Sequence, residues 1–380
     1  MSVTPNPSVI TQITSAARHP RGMVKIGGNI IPAWIEFEVD NNAFRDADTF
    51  HITLALSGLV APYDANWISN QTSMQIEVLA GLVDDPTSWS VTDLDSLIVG
   101  NVDDVEFDPV ARTMTLSGRD LTSLLIDAKT AEKWINQTAS AIATTLAVRH
   151  GLTPVIPQST AGFAGGYYKV DHAIPTQAQT EWDLLCWLAQ QVGFICYVDG
   201  RNLYFGPPPD PSHAPKFPIA WADADAQNTF RSNTTSIKFG RTLTVGKTIT
   251  VTVRSWNQAQ GKGFSVSYPN ANGGKIKPGS ATSPAQPYSY IIPNLTKDQA
   301  QKRAAAIYNE MIRNEMRLSI DMPATNDLDV MTRIPVTGTN TVWDQTYFPE
   351  SIQRRMNFEE GYRMSITAKN HSDEVELVEP

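Results

Sequence analysis

The densest group of chemically capable side chains is Asp103-Asp104-x-Glu106, with Asp84-Asp85 next. Alternate residues of a strand share a face, so Asp104 and Glu106 would stand together as a glycoside-cleaving carboxylate pair does; the same face of an ordinary barrel strand meets water or a partner. Gly118-Arg119-Asp120, set among hydroxyls, is either catalytic or a structural corner. The six histidines (His19, His51, His150, His172, His213 and His371) include no pair at i,i+4, and there is no Cys-x-x-Cys, so the spacing argues against a metal site. No Gly-x-Ser-x-Gly elbow or Cys-His signature is present, and Cys186 among Leu184, Leu185 and Leu188 reads as core. Gly162, Gly165 and Gly166 lack the Lys-Ser/Thr of a phosphate cradle and read as a mobile linker. Trp182 and Trp187 fall on different faces of one helix, while Trp34, Trp256 and Trp343 lie in or near strands; packing or a buried interface stands against a sugar-binding platform. The expectation is no catalytic residue, no cofactor and no metal.

What must hold these residues is a β-rich chain of 380 residues, long enough for two or three cored domains. Charged residues are 18%, below the usual share of about 25%. Net charge is -9 and no basic run exceeds two residues, which argues against general nucleic-acid affinity. The first residues lack the charged and apolar regions of a secretory signal, and no stretch has the roughly 18 apolar residues of a membrane span. Cys186 and Cys196, in a helical and a strand pattern, read as buried hydrophobes rather than a disulfide, which suits a reducing cytosol.

The expected order is an arm at 1–22, a first β-barrel domain at 23–127, an α+β helix-hairpin domain at 128–206, a Pro-rich linker at 207–218 and a second β-barrel domain at 219–380 carrying a long helix at 296–317. The fold class is thus mainly β with an α+β insertion between two barrel-like domains of similar fold. Short strands alternate from Val24, and a hairpin turns at Asp108-Pro109. Asp120 is a candidate cap for a short helix, and a longer helix is expected from about Thr130 to Gly151. Thr180, Glu181, Asp183 and Gly193 bound a helix with a Leu184, Leu185, Leu188 and Val192 stripe, followed by a hairpin at Asp199-Gly200. Thr296 and Gln299 form the capping-box pattern of the long helix.

The stretch from Gly100 to Lys129 resembles the end of the first barrel domain of phage baseplate hub proteins. That family includes the late-control-D proteins, Mu-like tail hubs and the hub half of type VI secretion spikes. The matching residues are Gly100, Val102, Asp103, Val105, Gly118, Arg119, Asp120, Leu121, Thr122, Leu125 and Asp127. The helix and hairpin from Thr180 to Pro207 resemble the family's next module, and module order agrees over about 24–380. The resemblance implies a structural, non-enzymatic homotrimer with pseudo-sixfold symmetry, adapting a sixfold tail tube to a threefold spike. Its partners would be itself, a tube or distal tube protein above, a spike protein below and other baseplate proteins. DNA would pass through the channel without specific binding. The place would be the virion tail baseplate, after assembly in the host cytoplasm. Gly118 would then permit a bend, Asp120 would cap a helix and Arg119 would pair with a carboxylate of a neighbouring segment. The alternatives are a tail-associated cell-wall hydrolase and a Trp-rich glycan-binding adhesin.

Overall fold

The computed structural model describes residues 18–43, 46–130, 132, 134, 137–157, 159, 179–208, 214–222, 231–241, 249–257, 262–268, 286–291, 297–312 and 316–370. The expectations for Gly162, Gly165, Gly166, His172, His213, His371, Thr296 and the side chains of Trp256 and Gln299 lie outside them.

The first β region comprises β1 (His19–Ile26), β2 (Asn29–Ile30), β3 (Trp34–Asn42), β4 (Thr49–Ala55), α1 (Ala65–Ser69), β5 (Gln75–Val83), β6 (Asp95–Asp108) and β7 (Thr113–Asp120). The middle region has α2 (Ser123–Asp127), β8 (Lys129–Thr130), α3 (Ala139–Arg149), β9 (Thr153–Val155), β10 (Gln179–Thr180), α4 (Glu181–Val192), β11 (Ile195–Asp199) and β12 (Asn202–Gly206). The second β region adds β13 (Ile219–Ala222), β14 (Arg231–Ser232), β15 (Ser236–Arg241), β16 (Ile249–Asn257), β17 (Lys262–Tyr268), β18 (Gln286–Ile291), α5 (Lys297–Ile312), β19 (Met316–Pro323), β20 (Ile334–Thr337), β21 (Thr346–Asn357) and β22 (Gly361–Lys369). The protein is mainly β with a small helical insertion, as the alternation of apolar residues requires.

In the first lobe the strands run β3-β4-β7-β6-β5-β1, each antiparallel to the next. Alternate residues point inward: Phe50, Ile52 and Leu54 of β4 are at most 3% exposed, as are Met114 and Leu116 of β7. The sheet curls on itself, because a Cβ placed on Gly22 of β1 would lie 2.7 Å from the Phe37 ring of β3, at the other end of the strand order. The second lobe repeats the path. Its strands β15-β19-β22-β21-β20 match β3-β4-β7-β6-β5 in chain order and antiparallel sense, and the path departs only at β13, which lies parallel to β20. The two lobes are not separate bodies: β21 pairs with β3 from Ser351↔Asn42 to Asn357↔Glu36, giving one continuous sheet over a shared core.

The middle region packs its own core of Leu121, Leu125, Ile142, Leu146, Leu185, Leu188 and Phe205. Its longer helices have sequence-encoded ends. Thr180 accepts from the Asp183 N–H at 3.0 Å and completes a capping box, and Gly193 closes α4 at φ 74°, where a Cβ would be strained. α3 begins not near Thr130 but after Thr138, whose Oγ1 accepts from Ala141 N–H at 3.1 Å; Thr130 lies in β8, paired with Gln179. At the other end of the chain, Met316 and Arg317 belong to β19 rather than to the long helix, because Met316 faces the core in strict alternation. α5 covers the β16–β18 sheet, burying Ala300, Ala304 and Ile307 against Val251, Val253 and Val266.

Candidate functional site: the junction and the strand edges

Gly118 is not a bend. It lies inside β7, where a Cβ would stand 2.0 Å from the Asn101 carbonyl oxygen and 2.7 Å from Cζ of Phe50. Close approach of backbone and ring, rather than unusual dihedrals, demands glycine here. The cause is a shift in register between Val102 and Asp104, which leaves Asp103 as an extra residue in β6 opposite β7. The bulge aims Asp103 at Arg119. Arg119 Nε and Nη2 donate to the two Asp103 oxygens at 2.7 and 3.0 Å, and Nη1 and Nη2 donate to Asp127 at 3.2 and 3.1 Å. One guanidinium fork thus ties the β6–β7 hairpin to the end of α2.

Asp120 does not cap α2. The cap position is Thr122, which makes no side-chain cap bond. Asp120 instead accepts from the Thr122 N–H at 3.2 Å and hydroxyl at 2.8 Å, fastening the turn before the helix. Its carboxyl lines a cleft of about 350 Å³ where both lobes and the middle region meet. Asn41 and Asp48 enter from the first lobe, Trp182, Tyr197 and Asp199 from the middle region, and Asn326, Asp329 and Arg354 from the second lobe. Burial pushes the Asp48 carboxyl up to about 6 against the hydrogen bonds from Asn41 and Asn42 N–H that pull it down. Burial, then the neighbouring Asp48 charge, push Asp120 up to about 8. Arg354 is 5% exposed. It donates to Asn41 Oδ1 at 2.8 Å and to the Leu328 carbonyl, and burial draws its pKa down. Asn41 in turn donates to Asp48 Oδ2 at 2.8 Å, so Arg354-Asn41-Asp48 forms a polar chain across the lobe junction.

The other sequence candidates are dispersed. Asp104 and Glu106 are exposed on the β6–β7 hairpin, outside the cleft. Asp84 pairs at 3.7 Å with exposed Arg18, and Asp85 accepts from Thr87 N–H at 2.8 Å. Cys196 is buried, which raises its thiol pKa, and Cys186 is half-buried; the two are not joined in a disulfide. Trp34 stacks on Phe358 at 5.0 Å, Trp343 stacks on Phe239 at 5.6 Å and Trp182 is buried. A second ionic group was not foreseen in the sequence: Arg149 Nη1 donates to buried Glu181 at 2.6 Å, and His150 Nε2 lies 2.5 Å from its other oxygen. Its signal was there in outline, since cationic residues ending α3 and an acidic residue opening α4 each suit the helix dipole they face.

No family model matches the chain, and no curated protein matches its sequence. Solved structures do. A tail protein from Neisseria meningitidis MC58 superposes with a TM-score of 0.68 at 16% identity, covering 92% of this chain and 96% of that one. The 43 kDa tail protein of prophage MuSo2 from Shewanella oneidensis gives 0.64 at 18% identity, covering 92% and 97%. This chain therefore shares the fold of these two tail proteins. An E. coli component of the type VI secretion system, described as similar in structure to bacteriophage T4 tail proteins, gives 0.51 at 10% identity, covering 93% and 78%. The tail-protein fold therefore spans both lobes and the middle region, not the barrel-end motif alone.

Proposed function

We propose that this protein is a structural baseplate hub of a phage or phage-derived tail. Three copies would close a ring of six lobes, matching a sixfold tube above and a threefold spike below. The observation that carries this is the repeated strand path on two lobes fused edge to edge through β21 and β3, since three such pairs place six similar lobes around an axis. The likeness to tail proteins over nearly the whole chain supports the same role. A net charge of -9 suits a channel from which DNA phosphates are repelled. Its role would be non-enzymatic, in the virion, with tube, spike and other baseplate proteins as partners.

Light scattering on the purified chain should give three times 41.8 kDa, and electron micrographs should show three-lobed rings. A monomer throughout the micromolar range, with no rings, would overturn the hub reading. One observation favours a cell-wall hydrolase instead: Asp48 and Asp120 are two carboxyls with raised pKa values in one cleft. Release of peptidoglycan by the protein, abolished in Asp120→Asn with melting unchanged, would replace the hub with that enzyme. The adhesin alternative finds little support, because of the tryptophans with described side chains Trp187 alone is exposed.

A further inference from the structure

Among the described residues, one strand pairing joins the lobes, β21 on β3. The ladders align rung by rung: Thr49↔Arg119 corresponds to Ser319↔Thr367, and Thr53↔Thr115 to Pro323↔Arg363. Under this alignment β3 corresponds to β15 and β21 to β6. Among the described residues, β6 from Asp104 to Asp108 pairs only with β7, and β15 pairs only with β19. A single chain therefore joins one corresponding pair of edges and leaves the other pair open.

We propose that β6 of one copy pairs antiparallel with β15 of the next, in the register that β21 and β3 already show. This rests on the trimeric-ring reading and names the surface that closes it. Gln353↔Asp40 becomes Asp104↔Lys238 between copies, and Arg354↔Val39 becomes Val105↔Ile237. The side chains fit this register. Asp104 and the exposed Lys238 carry opposite charge, and each sits across from a serine, Ser117 and Ser319, on the sheet face away from the core. Val105, 42% exposed, and half-buried Ile237 lie on the core face, opposite Leu116 and Ile320, so joining the edges continues the core across copies. In this register Phe107, 53% exposed, falls opposite Thr235, just before β15 begins.

Charge also selects the partner. β6 carries Asp103, Asp104, Glu106 and Asp108, so two β6 edges repel. The contact is thus head to tail, the type that closes into a ring.

Two sets of full-length variants test the pairing. Val105→Cys with Ile237→Cys, oxidised, should give covalent trimers on non-reducing gels, and neither single variant should. Asp104→Lys and Lys238→Asp should each raise the concentration for half-assembly about tenfold, since every ring holds three such contacts, and the double reversal should restore it. Three-lobed rings that neither cross-link nor respond to reversal would overturn this interface and leave the hub reading standing. Wild-type protein that never assembles would overturn both.

Discussion

At one rung of the repeated ladder the two lobes solve the same packing problem differently. Phe50 faces Gly118 across β4 and β7, where the second lobe sets Ile320 against Ile366 across β19 and β22. Large plus none and medium plus medium fill a similar space between curled sheets, as close packing requires. The choice is dictated by the third strand. β6 shifts register at Asp103 and brings the Asn101 carbonyl onto Gly118, whereas β21 passes Ile366 in register at Ile352 and makes its own shift farther along, between Pro349 and Ser351. A backbone irregularity that aims one carboxylate at Arg119 thus removes a side chain from the core. The lobes differ also in what they insert. β3 passes to β4 through residues 43–48, while the path from β15 to β19 accommodates β16, β17, β18 and α5 with a core of their own. A ladder tolerates such an insertion because the connection lies off its hydrogen-bonded rungs.

The largest expected effect comes from forcing the first lobe to imitate the second. Gly118→Ile should cost more than about 3 kcal/mol in chemical denaturation, beyond ordinary overpacking, because the obstacle is a carbonyl oxygen. Adding Phe50→Ile should recover only part of it; full recovery would show that the ring, not the β6 bulge, sets the requirement. Ile366→Ala, which leaves a void in the second lobe, should cost about 2–4 kcal/mol, and a cost under about 1 kcal/mol would mean that this rung is not close-packed.

Next is the junction the lobes share. Asp120 holds its proton more tightly folded, at about 8, than at its ordinary value of 3.8, so folding takes up a proton between those values. Stability should therefore fall as pH rises from 4 through 8, with Asp120 alone contributing no more than about 1.4 kcal/mol per pH unit. Asp48 adds to the slope up to about 6. Melting temperatures across this range should flatten in Asp120→Asn; an unchanged slope would place the proton elsewhere. The smallest effect belongs to the fork of Arg119. Its pairs are partly exposed, with Asp127 at 64%, so Arg119→Ala should cost about 1 kcal/mol and less at high salt. Arg119→Lys should restore under half of that, since an ammonium cannot hold two carboxylates as a planar fork does.

Much of this was written in the chain. Alternation gave the strands, the Thr180–Asp183 box and Gly193 gave α4, and the spacing of Gly118, Arg119 and Asp120 marked the place where lobe, bulge and helix meet. These are local facts: a cap, a turn or a period needs only neighbours within a few residues. Other features were invisible there. The start of α3 depended on which of several threonines caps it, Gly118 on a carbonyl reached through the register of another strand, and the burial of Asp120 on a cleft drawn from three regions. The sequence by itself determined strand type, helix ends and acidic balance, because propensity, capping and charge act over short range. Only the tertiary structure decided that β21 seals onto β3 over 300 residues away, that the two lobes share one ladder, and that β6 and β15 carry matching edges. Pairing between distant strands is fixed by the register and packing of the whole sheet, which no local pattern encodes.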